Sequence, residues 1–293
     1  MKYRRDASPA ENLGVYAVLK KAYLEITNIC NLSCSFCPGT KREKRFMSPE
    51  DFRFLAGRLR PHTDYLYLHL MGEPLLHPEL EAILSSAGEL GFKLIITTNG
   101  TLLPKRGELL LSSPAVHKLN ISLQSFEANP AGELEKYIFS CAAFAKASGE
   151  AGKLCVLRLW NQNGLDSLNP QIESLLLPYF PKPWAESRGS LRLAERVYLE
   201  PGERFDWPDM EAQDRGESCF CYGLRDQVGV LCDGTVVPCC LDHEGDIPLG
   251  NLFRQELPEI MSTDRARNIY NGFSQRRATE PLCRRCGYSM RFT

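Results

Sequence analysis

The chain has 293 residues, 43% of them hydrophobic, with 35 basic against 36 acidic side chains; this supports a substantial core and leaves no global field to attract nucleic acid or an anionic membrane. No apolar run approaches the length needed to span a bilayer, and the basic start Met-Lys-Tyr-Arg-Arg-Asp has no apolar segment behind it, so a cytoplasmic protein without membrane or nucleic-acid partners is expected. Twelve cysteines in a reducing compartment point to metal or redox chemistry in place of disulfides.

From Tyr23 onward, strand-like and helix-like segments alternate, which predicts α/β architecture with a parallel sheet. Tyr23–Thr27 reads as the first strand, followed by a loop holding Cys30, Cys34 and Cys37. Three soft thiolates so closely spaced suit one corner of an iron–sulfur cluster, leaving one iron open. A three-ligand catalytic zinc, or a redox dithiol at Cys34 and Cys37, are the alternatives. The run 41–45, Lys-Arg-Glu-Lys-Arg, reads as a solvated loop placed where it could also grip an anionic substrate. Ser48, an N-cap followed by Pro49, opens a helix whose buried stripe is Phe52, Leu55, Ala56 and Leu59.

Tyr65–Leu70 is the second strand and ends at Gly72-Glu73-Pro74; Leu80, Ile83, Leu84, Ala87 and Leu90 form the apolar face of the next helix, closed by Gly91. His69 and His77 flank the turn and read as packed side chains. The third strand, Leu94–Thr98, closes on Asn99-Gly100, and the fourth, Lys118–Leu123, leads to a helix with Leu134, Tyr137, Ile138, Cys141 and Ala142 on one face, which makes Cys141 a core residue. Lys153–Trp160, interrupted by the charge of Arg158, is the fifth strand. A helix around Ile172–Leu177, the Pro-rich stretch Leu177–Trp184 and a sixth strand at Leu191–Leu199 follow. Six units fit better than eight, so a partial (β/α)6 TIM-like barrel over residues 1–200 is expected, with reactive groups at the C-terminal strand ends.

Beyond Glu200 an acidic, Pro-Gly-containing linker leads to a smaller cysteine-rich unit over 201–293, containing Cys219, Cys221, Cys232, Cys239, Cys240, Cys283 and Cys286. Gln227–Cys232 and Thr235–Cys239 around Asp233-Gly234 read as a hairpin with a two-residue turn, pairing Cys232 with Thr235 and Cys239 with Val228. Cys232 and Cys239 would then stand on the order of 13 Å apart, which removes Cys232 from any shared site. Strand alternation separates Cys239 from Cys240. The remaining ligand set is Cys221 or Cys219, Cys239 or Cys240, Cys283 and Cys286. Asp242, His243 and Glu244 are candidates for proton removal, and an acidic surface turn explains them equally.

With Cys-x3-Cys-x2-Cys after the first strand, the chain resembles the radical S-adenosylmethionine (SAM) superfamily, and Gly234-x4-Cys239, Leu249-Gly250-Asn251-Leu252 and Cys283-x2-Cys286 resemble its SPASM/twitch extension. The resemblance implies a SAM-binding [4Fe–4S] cluster on Cys30, Cys34 and Cys37. It places SAM against Gly72, Glu73, Pro74, Thr98, Asn99, Ser122 and Gln124, with Arg158 on its carboxylate; Met71 stands where many members have a further glycine. It also implies an auxiliary [4Fe–4S] cluster on Cys221, Cys239, Cys283 and Cys286, for which a structural zinc is the alternative. The expected activity is formation of a 5′-deoxyadenosyl radical and hydrogen abstraction from a small molecule or peptide, with a flavodoxin or ferredoxin as electron donor. The short segment before the first strand leaves no room for a fused leader-recognition module, which favours a small molecule or a separately recruited peptide. A non-catalytic iron–sulfur carrier or regulator is the reading of a different class.

Overall fold

The computed structural model describes residues 18–129 and 132–292; the basic Met1–Asp6 start lies outside the described residues. Its strands are β1 (Lys21–Leu24), β2 (Tyr65–Tyr67), β3 (Lys93–Thr98), β4 (Val116–Ser122), β5 (Leu154–Gln162), β6 (Ala185–Ser187), β7 (Ser190–Ala194), β8 (Val197–Glu203), β9 (Gln227–Val230), β10 (Thr235–Val237) and β11 (Gly250–Asn251). They form one sheet in the order β11-β10-β9-β1-β2-β3-β4-β5-β8-β7-β6. Strands β1 to β5 and β8 are the six parallel strands of an open half-barrel, and β9 lies parallel to β1 on its other side. The six-unit α/β architecture is as expected, with a mixed sheet that does not close.

Helices α1 (Pro49–Leu59), α2 (Leu80–Glu89), α3 (Leu103–Ser112), α4 (Leu134–Glu150) and α5 (Asn169–Leu176) accompany the parallel strands. Helix α1 starts where its sequence demands: Ser48 Oγ accepts from the Asp51 amide at 3.1 Å, and Phe52, Leu55, Ala56 and Leu59 are buried. Cys141 is fully buried in the core, as expected. Helix α3 has no counterpart in the sequence reading; its Pro104 lies in the first turn, and Leu103, Gly107 and Leu110 are buried. Among the described residues no helix is long and apolar enough to cross a membrane.

Two expectations are corrected. The single sixth strand at Leu191–Leu199 is a hairpin, β7 antiparallel to β8, which turns at Glu195-Arg196 with Arg196 at φ 59°. The β9–β10 hairpin is one residue out of the expected register. Val236 pairs with Val230 and Val237 with Gly229, and the Leu231 amide donates to the Thr235 carbonyl at 2.9 Å. Cys232-Asp233-Gly234 is therefore a three-residue loop, closed by Gly234 in the left-handed region at φ 81°, a geometry that fits the strand twist better than a two-residue turn lacking a second left-handed residue. The Cys232–Thr235 and Cys239–Val228 pairs do not form. Cys239 and Cys240 lie past the last paired residue, so strand alternation does not sort them.

The two faces of the sheet differ in chemistry, and this positions the site. Ala22 and Leu24 of β1, Leu66 of β2, Leu94 and Ile96 of β3, and Cys155, Leu157 and Leu159 of β5 belong to the main apolar core. Alternate residues on those strands, Lys21, Tyr23, Tyr65, Tyr67, Arg158 and Trp160, line a cavity on the opposite face. Closed barrels fill this space with aliphatic layers; here it is open and lined with rings and cations.

Candidate functional site

The cavity measures about 1160 Å³ and is lined both by Cys30, Cys34 and Cys37 and by Cys219, Cys221, Cys239, Cys240, Cys283 and Cys286. One chamber thus brings together the two thiol groups that the sequence separates by nearly two hundred positions. None of the chain's cysteines forms a disulfide.

The first thiol loop leaves the end of β1 and is fastened from three sides. The Cys37 amide donates to the Cys34 carbonyl at 2.9 Å. Asn99 Nδ2, at the end of β3, donates to Asn31 Oδ1 at 2.9 Å and reaches Cys30 Sγ at 3.9 Å. Asn129 Nδ2 donates to Cys34 Sγ at 2.9 Å while its Oδ1 accepts from the Ser33 amide at 3.0 Å. Burial pushes the Cys30 and Cys37 thiols up and Cys34 to about 11, so their thiolates form at neutral pH only when metal displaces the protons.

Seven of the eight residues expected around SAM line the cavity: Gly72, Glu73, Thr98, Asn99, Ser122, Gln124 and Arg158. Pro74 does not; it is buried and opens a short turn. Gly72 adopts φ 77°, and a Cβ there would stand 2.5 Å from the Thr27 carbonyl oxygen, so the β2 turn presses directly on the chain entering the thiol loop. The Glu73 carboxylate accepts from the amides of Asn99 at 2.7 Å and Leu75 at 3.0 Å, clamping the ends of β2 and β3. Its oxygens are thereby committed to main-chain amides. Burial raises the Glu73 carboxyl to about 7 against the pull of those two amides. Gln124 Oε1 is buried without a hydrogen-bond partner among the described residues; such an orphaned acceptor on the chamber wall fits a bound polar group. Arg158 places Nε 3.3 Å from Glu200 Oε2 and stacks on Trp160, 4.2 Å from the ring centroid.

In the second group, the Cys239 thiol is pushed well up by burial and then by the neighbouring thiols of Cys240, Cys221, Cys283 and Cys286. Cys283 is raised by burial and then by Cys221, Cys286 and Cys219. Cys219, Cys221, Cys239, Cys240, Cys283 and Cys286 all line this part of the cavity, and four of them make a donor set suited to a thiolate-held cluster. Among the described residues no three His, Cys, Asp or Glu side chains are placed to share a single metal ion. Cys232 stands apart, with Sγ donating to the Glu25 carbonyl at 3.0 Å.

Sequence reasoning missed the crossbar behind both groups. Glu25 is fully buried and accepts a two-pronged pair from Arg42, at 2.6 and 2.8 Å. It also accepts from the amides of Met71 at 3.2 Å and Cys232 at 3.1 Å, while Arg42 Nε donates to the His243 carbonyl at 2.8 Å. Arg42 is thus no solvated loop residue, contrary to expectation, because a buried carboxylate requires its charge. The three candidate bases are likewise engaged. Asp242 accepts from the amides of Gly245, Asp246 and Ile247 at 2.8–3.1 Å, His243 Nδ1 lies 3.2 Å from the Leu241 carbonyl, and Glu244 accepts from the Lys41 amide at 2.9 Å. Trp160, Phe205, Trp207 and Tyr288 also line the chamber; the only sequence signal was aromatic alternation in the strands, and the last three lie outside strands.

Residues 24–149 match the family model of the radical SAM superfamily, and residues 219–287 match that of SPASM, an iron–sulfur cluster-binding domain. A GTP 3′,8-cyclase of Microcystis aeruginosa (strain NIES-843) is 23% identical over 309 aligned residues, covering 84% of this chain and 89% of the relative. Among solved structures, BtrN in complex with AdoMet and 2-DOIA superposes with a TM-score of 0.59 at 17% identity, over 93% of this chain and 94% of BtrN. SuiB of Streptococcus suis bound to the precursor peptide SuiA superposes with a TM-score of 0.61 at 18% identity, over 94% and 71% of the two chains. At these identities the structural likeness establishes the fold.

Proposed function

We infer, from the premise that this chain is a radical SAM protein with a C-terminal SPASM domain, that it is an enzyme that removes a hydrogen atom from a small molecule or peptide held between its two thiol groups. The cofactors of such a chain, a SAM-binding [4Fe–4S] cluster and an auxiliary cluster, supply reductive cleavage of SAM to a 5′-deoxyadenosyl radical and a route for the electron left on the substrate. The observation that carries this reading is the single cavity lined by both cysteine groups.

In this reading the SAM-binding unit, expected to end at residue 200, runs to the end of β8 at Glu203, and the auxiliary unit follows it. Cys30, Cys34 and Cys37 hold the first cluster, with Asn129 orienting Cys34. SAM lies along the strand ends at Gly72, Glu73, Thr98, Asn99, Ser122 and Gln124; Arg158 lines the same chamber with its guanidinium held by Glu200 and Trp160, which frees the SAM carboxylate site from it in this reading. Cys221, Cys239, Cys283 and Cys286 hold the auxiliary cluster. The rings of Phe205, Trp207 and Tyr288 line the chamber and would screen a bound substrate from water, which protects a radical. A chamber of about 1160 Å³ accommodates SAM together with a small molecule or a peptide segment. The net reaction is an oxidation or a cross-link, and a flavodoxin or ferredoxin in a reducing cytoplasm is the natural donor.

The test is anaerobic reconstitution with iron and sulfide, followed by reduction in the presence of SAM. Formation of 5′-deoxyadenosine is expected; its absence with intact clusters sinks the enzyme reading. Replacing Cys30, Cys34 and Cys37 together by Ala should roughly halve the bound iron while leaving the auxiliary cluster. Unchanged iron refutes the ligand assignment, and zinc in the same metal analysis would identify the second site as structural.

A further inference from the structure

We propose that the inner face of the sheet, at the auxiliary side of the chamber, is an anion subsite formed by Lys21, His69 and Arg158, and that the substrate carries a phosphate or carboxylate group seated there. The proposal rests on reading the cavity as the substrate chamber and names the class of molecule it takes. The pairing of Tyr23 with Tyr67 sets Lys21 and Tyr23 of β1 and Tyr67 of β2 on one face; His69, two residues beyond β2, and Arg158 from β5 line the same cavity. Lys21 Nζ lies 5.3 Å and 5.2 Å from the ring centroids of Tyr23 and Tyr67. The carboxylates that line the chamber are already committed: Asp226 pairs with Lys20 at 2.6 Å, and those of Glu73 and Asp242 accept main-chain amides. Arg158, which lines the chamber, bonds to Glu200 through Nε.

His69 supplies an independent sign of a ligand. Its Nδ1 is buried with no hydrogen-bond partner among the described residues, and its ring stands edge-on to Tyr23, with centroids 5.5 Å apart. Burial, then Arg158 and Lys21, hold its pKa down at about 3, so at neutral pH the ring has one N–H to donate. Lys21 is pushed down mainly by burial, with Arg158 adding to it. Clustering cations away from water is costly unless an anion joins them, and a phosphate or carboxylate accepting from Lys21, Arg158 and His69 supplies that charge. Lys21 opens β1 and the first thiol loop follows the far end of that strand, which sets the Lys21 side of the subsite away from that loop. Cys239 and Cys240 line the cavity with it. A cluster held by thiolates is itself anionic, so the test has to separate cluster, SAM and substrate as the partner of these cations.

The holoprotein, loaded with iron, sulfide and SAM, is titrated calorimetrically with inorganic phosphate and separately with succinate, and SAM affinity and the auxiliary-cluster reduction potential are measured on the same preparations. Saturable binding of at least one anion is expected, weakened about tenfold or more in Lys21→Met and restored in Lys21→Arg, with SAM affinity unchanged. Absence of saturable binding in the wild type, or equal binding by Lys21→Met, overturns the proposal. So does a Lys21→Met variant in which only the cluster potential or only SAM affinity moves. If Lys21→Met does not fold, His69→Phe, which keeps a ring and loses Nδ1, is judged by the same criteria. Formation of 5′-deoxyadenosine is scored separately, so that loss of the radical reading with anion binding intact is distinguishable from loss of the subsite with cleavage intact.

Discussion

Replacing Gly72 by Ala tests whether the β2 turn holds the thiol loop in place. The substitution adds one methyl group, which would meet the Thr27 carbonyl oxygen at 2.5 Å, the Asn28 carbonyl carbon at 2.9 Å and the Ile29 carbonyl oxygen at 2.9 Å, all backbone atoms that cannot swing aside. It also imposes a left-handed conformation at φ 77°. The conformational part costs about 1–2 kcal/mol, and forcing two backbone segments apart about 1–3 kcal/mol more, so a loss of about 2–5 kcal/mol is expected. Gly189 separates the two parts: it has φ 81° and nothing within 4 Å of its would-be Cβ, so Gly189→Ala should lose only the conformational 1–2 kcal/mol. Because Ile29 precedes Cys30 and accepts from the Glu73 amide at 2.8 Å, displacement is carried into the thiol loop. Urea unfolding of both variants, alongside SAM affinity of the reconstituted proteins, checks the prediction. If Gly72→Ala loses no more stability than Gly189→Ala and binds SAM as the wild type does, the reasoning is wrong.

Three further outcomes follow from the same contacts. The Glu73 carboxyl is raised to about 7 by burial, above its unfolded value of about 4.3. The stability it contributes is therefore complete below the unfolded value and is lost as pH rises through about 7, by roughly 3 kcal/mol; Glu73→Gln should flatten that part of the urea-midpoint profile between pH 5 and 8, and an unchanged slope counts against it. Asn129→Ala removes the donor to Cys34 Sγ and the acceptor of the Ser33 amide; the first cluster should titrate at a more negative potential, read by EPR-monitored reduction, with about 1 kcal/mol of stability lost. Arg42→Met strands the fully buried Glu25 carboxylate and should lose about 3–5 kcal/mol; combining it with Glu25→Gln should recover part of that loss, whereas additive losses would show the pair to be uncoupled.

Local signals account for what the sequence disclosed. Ser48-Pro49 specified a cap by its own hydrogen-bonding chemistry, the stripe from Phe52 to Leu59 specified a buried helical face, and the spacing of Cys30, Cys34 and Cys37 put three thiols on one loop, all of which line the chamber. The errors arose where several conformations satisfy the same pattern. Leu191–Leu199 alternates well enough for one strand, and only the left-handed Arg196 breaks it into two. Asp233-Gly234 suits a two-residue turn as well as the last two places of a three-residue loop, and the choice moves the pairing partner of every residue in β10.

The site was hardest to read where its parts are remote in sequence and joined by buried charge. Glu25 looked like one polar residue in a strand, and Arg42 like one of several loop cations, because neither carries a signal that names the other. Their pairing closes a frame: it ties the segment after β1 to the loop beyond the thiols, and the Met71 amide after β2, the Cys232 amide and the His243 carbonyl all hydrogen-bond to that side-chain pair. That frame fixes the hairpin carrying Cys239 against the strand that leads to Cys30, and so gives the two thiol groups a common chamber. Loosening it should therefore affect both groups at once: Arg42→Met is expected to lower iron loading at the N-terminal and C-terminal cysteines together, and loss at one group alone would show that each is held independently.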